Sequence, residues 1–226
     1  MVKWNGIDFK NKGIVVEKIP TISKGKKDIE TYTIDGRSGF LSIDRGTYQP
    51  FSLQVECHAK ETANFDEIKA FLDGYGTLTF DNEREYTAIV NNAIPFEKIQ
   101  MFKSFAVQFM VNPIAHDINA TTINLLTGLN QDGEFTITGS TYEIEPTITI
   151  EATGDVEVTI NNKTFSLEDA DGTYILDCEH KVITKSGLNA ASIMSGEFPT
   201  FKNGTNVVDT TGTISTFSAS YKKAYI

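Results

Sequence analysis

Apolar and polar residues alternate strictly over much of the chain. In FSLQVECHAK, Phe51, Leu53, Val55, Cys57 and Ala59 point one way, and Ser52, Gln54, Glu56, His58 and Lys60 the other. A period of two is the pattern of a strand with one buried face. It recurs through Phe105, Val107, Phe109 and Val111, through Ile148 and Ile150, and through Val156, Val158 and Ile160. The chain is therefore predicted to be mainly β. One segment has helical spacing: in NFDEIKAFLDG, Phe65, Ile68 and Leu72 share a face with Phe71 beside them. Asn64 is placed to cap the free amides, Glu67 to close a reciprocal capping pair, and Gly74 to take the left-handed exit.

Turn signals divide the strands at Asp35–Arg37, Asp81–Arg84, Asp132-Gly133, Ile160–Lys163, Asp169–Gly172 and Asn203-Gly204. Between Ile19 and Leu41 a polar middle lies between two possible strands, which suggests a projecting β-hairpin arm. Pro113 is expected to end its strand, and alternation stops around VNPIAHDINATT. A module boundary is placed there, near residues 114–121. This gives an N-terminal module over 1–115 and a C-terminal module over 121–226.

Charge sharpens that division. Residues 1–115 hold 14 Lys and Arg against 15 Asp and Glu, while residues 116–226 hold 6 against 15, within a formal charge of −10. An acidic chain repels phosphate backbones, so neither nucleic-acid binding nor an anionic membrane is expected. No apolar stretch approaches the roughly 18 to 20 residues of a membrane span, so no membrane insertion is expected. The N-terminus has no signal-peptide pattern, which suggests synthesis in a cytoplasm. Cys57 and Cys178 lie far apart on predicted strands and are read as buried free thiols.

Candidate chemistry is sparse. His58, His116 and His180 lack a second ligand at metal spacing, and His58 belongs to the polar side of its strand. Asp169–Gly172 resembles a calcium loop only superficially, because Leu167 stands where an acidic residue is needed, and a hairpin turn is preferred. Glu143 and Glu145 share a strand side, as paired glycosidase carboxylates would, yet Pro146 follows at once and solvated glutamates are preferred. GxSxG and GxxxxGK[ST] are missing from the sequence. No catalytic residue, metal or cofactor is therefore assigned, and the protein is not read as an enzyme.

The order of motifs carries more information than any one of them. It runs from W4-N-G-I-D-F to D35-G-R-S-G-F-L, F51-S-L-Q-V-E-C, E67-I-K-A-F-L-D-G, L78-T-F-D-N-E with Y86-T-A-I-V-N-N, and F105-A-V-Q-F-M-V-N-P, then to G154-D-V-E-V-T-I-N-N, S195-G-E-F-P and N203-G-T-N. This succession resembles the distal tail proteins (Dit) of long-tailed phages and prophages of Gram-positive bacteria, over nearly the whole chain. The resemblance implies a structural hub at the distal end of a phage tail. It would be a homohexameric ring joining the tail tube to the tail tip or baseplate and its host-adsorption proteins. It also implies a fold: a ring-forming N-terminal β-sandwich with one α-helix and a hairpin, and a projecting galectin-like C-terminal β-sandwich. The expected partners are other copies of the chain, the major tail tube protein, the tape-measure protein, and the tail-associated lysin or receptor-binding proteins. The location is the virion. Within such a ring, the arm and the hairpin around residues 78–92 are expected to touch neighbouring subunits through Ile22, Ile29, Tyr32, Ile34, Arg37, Phe80 and Tyr86. The alternative is a carbohydrate-binding host-adhesion module that stacks sugars on Tyr142, Tyr174 or Phe198. Residues 121–226 leave little room for an inserted glycan-binding module.

Overall fold

Alternation becomes sheet in the computed structural model, which describes residues 1–80, 83–94, 103–128 and 133–226. The predicted turn at Asp81–Arg84 and the one at Asp132-Gly133 each fall partly outside those residues. The chain divides into two compact units, Met1–Ile118 (with Ile226) and Asn119–Tyr225. Both are built mainly of antiparallel β-strands, and the fold is β-sandwich in class.

In the first unit the strands are β1 (Lys3–Trp4), β2 (Ile7–Asp8), β3 (Ile14–Lys18), β4 (Lys27–Tyr32), β5 (Leu41–Tyr48), β6 (Phe51–Ala59), β7 (Tyr75–Thr79), β8 (Arg84–Val90) and β9 (Ser104–Asp117). The main sheet runs β2-β1-β7-β8-β9-β6-β3, whereas among the described residues β4 and β5 pair only with each other. The inward residues of β6 and β9, among them Val55, Val107 and Phe109, join Trp4, Phe9 and Ile68 in one core. The helix α1 spans Phe65–Phe71, and the Asn64 side chain accepts from the Asp66 and Glu67 amides at 3.1 and 3.4 Å. Glu67 closes the pair differently from the usual box: its carboxylate accepts from the Asn64 side-chain amide at 3.2 Å. Ile68 and Leu72 are buried, and Phe71 meets Phe9 edge-on with centroids 5.6 Å apart.

Pro113 does not end its strand. β9 runs on to Asp117 because the β8–β9 register shifts between Tyr86 and Ala88, so Ala88 faces Val111 while Tyr86 faces Ala115. Pro113 falls in that bulge, where its missing N–H costs no ladder bond, and the Ile114 amide donates to the Asn112 side chain at 3.2 Å.

In the second unit the strands are β10 (Thr121–Asn124), β11 (Glu134–Ile137), β12 (Thr147–Ile160), β13 (Lys163–Asp177), β14 (Val182–Lys185), β15 (Leu188–Asn189), β16 (Met194–Gly196), β17 (Gly204–Tyr221) and the short β18 (Ala224–Tyr225). The order is β10-β17-β12-β13-β14-β15, with β11 on β17 and β16 on β13. The two predicted strands around Ile148 and Val158 are one long strand, β12. The Ile160–Lys163 turn is a two-residue hairpin, with Asn161 at φ 59°. Asp169–Gly172, in contrast, is no hairpin turn: β13 passes through it. A bulge opposite Gly154 and Asp155 takes up the irregular backbone, Asp169 is at φ 48°, and its amide donates to the Asp155 carboxylate at 2.9 Å.

Candidate assembly surface

Hairpin β4–β5 is the arm expected from the sequence, though its strands are set later. Residues 19–26 lead into it unpaired, and its second strand extends to Tyr48. The pairing brings Glu30 opposite Ile43, Thr31 opposite Ser42 and Tyr32 opposite Leu41. Opposed residues in an antiparallel pair share a face, and alternate residues share it along a strand. One face therefore carries Glu30, Tyr32, Leu41, Ile43 and Arg45, and the other Ile29, Thr31, Ser42 and Asp44. From Thr31 to Thr47 every residue is exposed. The large apolar ones are Tyr32 at 50%, Ile34 at 45%, Phe40 at 68%, Leu41 at 44% and Ile43 at 54%.

Polar contacts hold the hairpin in register. Lys27 pairs with Asp44, and Arg45 with Glu30, which also accepts from the Tyr32 hydroxyl at 2.6 Å. Hydrogen bonds from Tyr32 and then Arg45 draw the Glu30 carboxyl below its ordinary range, and the bond from Lys27 does the same to Asp44. At the root, the Gln49 amide donates to the Lys26 carbonyl at 2.7 Å. Gly25, the one buried residue of the lead-in, sits so close to Pro113 that a Cβ there would come within 2.4 Å of the proline Cβ.

A second exposed apolar surface lies on the outer face of the main sheet. Tyr75 pairs with Ile89 and Ile89 with Met110, so these three form a row across β7, β8 and β9. They are 73%, 42% and 36% exposed. The row floors a cleft of about 310 Å³ walled by Tyr48, Asn112 and Pro113, and no residue lining it is charged.

Of the residues singled out from sequence, Ile22, Ile29, Tyr32, Ile34 and Arg37 lie on the arm or its lead-in and are exposed. Phe80 is buried in its own module's core, and Tyr86 is half-buried on β8. Sequence reading passed over Tyr75, Ile89 and Met110. The signal was present, since Ile89 and Met110 are apolar at outward positions where alternation calls for polar residues.

The rival sites are otherwise engaged. Tyr174 is buried and its hydroxyl donates to Asp171 at 2.8 Å. Phe198 is half-buried with the Lys181 ammonium 5.9 Å from its ring centre. Glu145 accepts from Lys181 at 2.8 Å, and Glu143 is exposed. His180 braces an exposed turn through Asp177 at 2.8 Å, a bond that raises the imidazole pKa. Both cysteines are buried, and burial pushes each thiol up to about 12.

No family model matches the sequence, and no curated protein matches it significantly. Solved structures do match. Over 100% of this chain and 98% of the other, the fold superposes with a TM-score of 0.75 on the Dit protein (gp 19.1) of phage SPP1, at 13% identity. That protein is described as a paradigm of the hub adsorption apparatus in phages infecting Gram-positive bacteria. The chain has the Dit fold. A chain of the activated phage p2 baseplate, solved with strontium, shares this fold at a TM-score of 0.52 and 12% identity, over 96% of this chain and 92% of that one. These two neighbours belong to phage hub or baseplate structures.

Proposed function

We propose that this protein is a structural, non-catalytic hub at the distal end of a phage tail, working as a homohexameric ring. The reading rests on one observation above all: hairpin β4–β5 is exposed on both faces and, among the described residues, pairs with no other strand. A two-stranded hairpin alone in water is at best marginally stable. Its surface ion pairs are screened by solvent and contribute little. Apolar side chains held out on such an element gain stability when a neighbouring subunit covers them. A closed ring covers every copy's arm and leaves no unpaired end.

The fold shared with the SPP1 hub protein supports the same role. In this proposal residues 1–115 build the ring through Ile22, Ile29, Tyr32, Ile34 and Arg37. Residues 121–226 form the peripheral galectin-like sandwich that docks adsorption proteins. The tail tube and tape-measure proteins meet one side of the ring, and the tail-associated lysin or receptor-binding proteins the other. The site of action is the virion, after synthesis in the host cytoplasm.

Light scattering and negative-stain electron microscopy of the purified protein test this. The expected result is six-membered rings that disappear when residues 28–47 are replaced by a short Gly/Ser linker. Monomers at every concentration, or rings unchanged by the replacement, would overturn it.

A further inference from the structure

The arm needs a receiving surface, and we infer that it is the uncharged cleft over Tyr75, Ile89 and Met110 on the next copy of the chain. The inference rests on the ring reading and adds its acceptor site. Three observations lead to it.

The first is chemical match. Tyr32, Leu41 and Ile43 form an apolar patch on one arm face, and the charges beside it, Asp28, Glu30 and Arg45, are joined in ion pairs centred on Arg45. The cleft is uncharged, so neither surface loses the hydration of an unpaired charge when the two meet.

The second is the placement of exposed residues. Outward positions on a one-sided sheet are ordinarily polar, and here three apolar side chains occupy neighbouring outward positions on adjacent strands. At about 310 Å³ the cleft has room for a few side chains of the size the arm presents.

The third is reach. The arm's own root, Tyr48, forms part of the cleft wall, and β5 leads away from it toward Leu41. At about 3.3 Å per residue the apolar patch on the outer half of the arm is roughly 17 to 23 Å from that wall, too far to fold back as a rigid hairpin. The occupant is then the arm of another copy. Donor and acceptor are different patches, so each chain both gives and receives. Such head-to-tail contacts close into a ring when the rotation permits.

The test uses the native thiols' burial, which leaves introduced cysteines as the reactive ones. Ile43→Cys chains are mixed with Ile89→Cys chains under mild oxidation, and Leu188→Cys, on an exposed strand of the second unit, serves as the control in place of Ile89→Cys. The expected result is a mixed Ile43→Cys/Ile89→Cys disulfide, with at least about tenfold less for the control pair, because docking raises the effective thiol concentration. A chain carrying both substitutions gives a ladder up to the hexamer. If wild-type protein forms rings yet no mixed disulfide exceeds the control, the cleft assignment fails and the ring reading stands. If wild-type protein is monomeric and the disulfide is missing, both fail.

Discussion

Gly25 shows how one residue can set the arm's attitude. Its neighbour Pro113 is a rigid ring rather than a flexible side chain, so the 2.4 Å approach of an added Cβ has to be relieved by moving backbone. Gly25→Ala is expected to loosen the root and speed proteolysis of residues 27–48, with the core of the first unit left folded. Limited proteolysis followed by mass spectrometry reads this directly. The cysteines make a second residue-scale prediction. Both are buried with pKa near 12 in the fold against an ordinary value of 9.0. Their contribution is intact below about pH 9 and is lost as pH rises from there toward 12, since only the unfolded chain releases those protons. Urea midpoints should fall across that alkaline window, and a Cys57→Ser, Cys178→Ser double variant should show less of the fall. The thiols were legible from the sequence as buried strand positions. The Gly25 contact was not, because nothing local says that residue 25 will lie against residue 113.

Among the elements, α1 was the most legible, since spacing, cap and exit all lie within eleven consecutive residues. Asn64→Ala removes a side chain that accepts from two amides and is expected to cost about 1 kcal/mol, while Asn64→Asp keeps the cap. Trp4, the only tryptophan and fully buried in the same core, reports the change as a shifted fluorescence transition in urea. The strands were legible where one face is buried, as in β6. They were misread where long-range pairing overrides a local turn signal. Pro113 reads as a stop and Asp169–Gly172 as a turn, yet partner strands accommodate each in a bulge. The arm is legible as a hairpin, but its register is not, because both faces are exposed and no core fixes which residues must point inward. The same limit hides the candidate site. Tyr75, Ile89 and Met110 are scattered along the sequence, and only sheet register brings them into one row.

At the scale of the whole molecule, charge and apolar contact act on assembly in opposite directions. Each chain carries a formal −10, so gathering six copies in the proposed ring would concentrate negative charge, and repulsion would oppose closure. The cleft proposed to receive the arm is uncharged and the arm meets it with an apolar patch, so in this proposal the attraction that overcomes the repulsion is apolar burial. Salt separates the two contributions. Raising sodium chloride from about 50 mM to about 500 mM shortens the screening length from roughly 14 to roughly 4 Å, which weakens repulsion between copies and leaves apolar attraction in place. The protein concentration at which rings half-dissociate, measured by light scattering, is therefore expected to fall or hold steady as salt rises. Were ion pairs such as Lys27 with Asp44 exchanged between subunits to carry the interface, the same salt would push that concentration up. Acid gives the complementary reading within one chain. Glu30 and Asp44 have pKa values below the ordinary carboxylate range, so their help to the hairpin is present above about pH 4 and is lost as pH falls through those lowered values. If the proposed rings form through the arm, they should tolerate high salt at neutral pH and loosen in acid as pH falls through those lowered values, where the arm loses its own register.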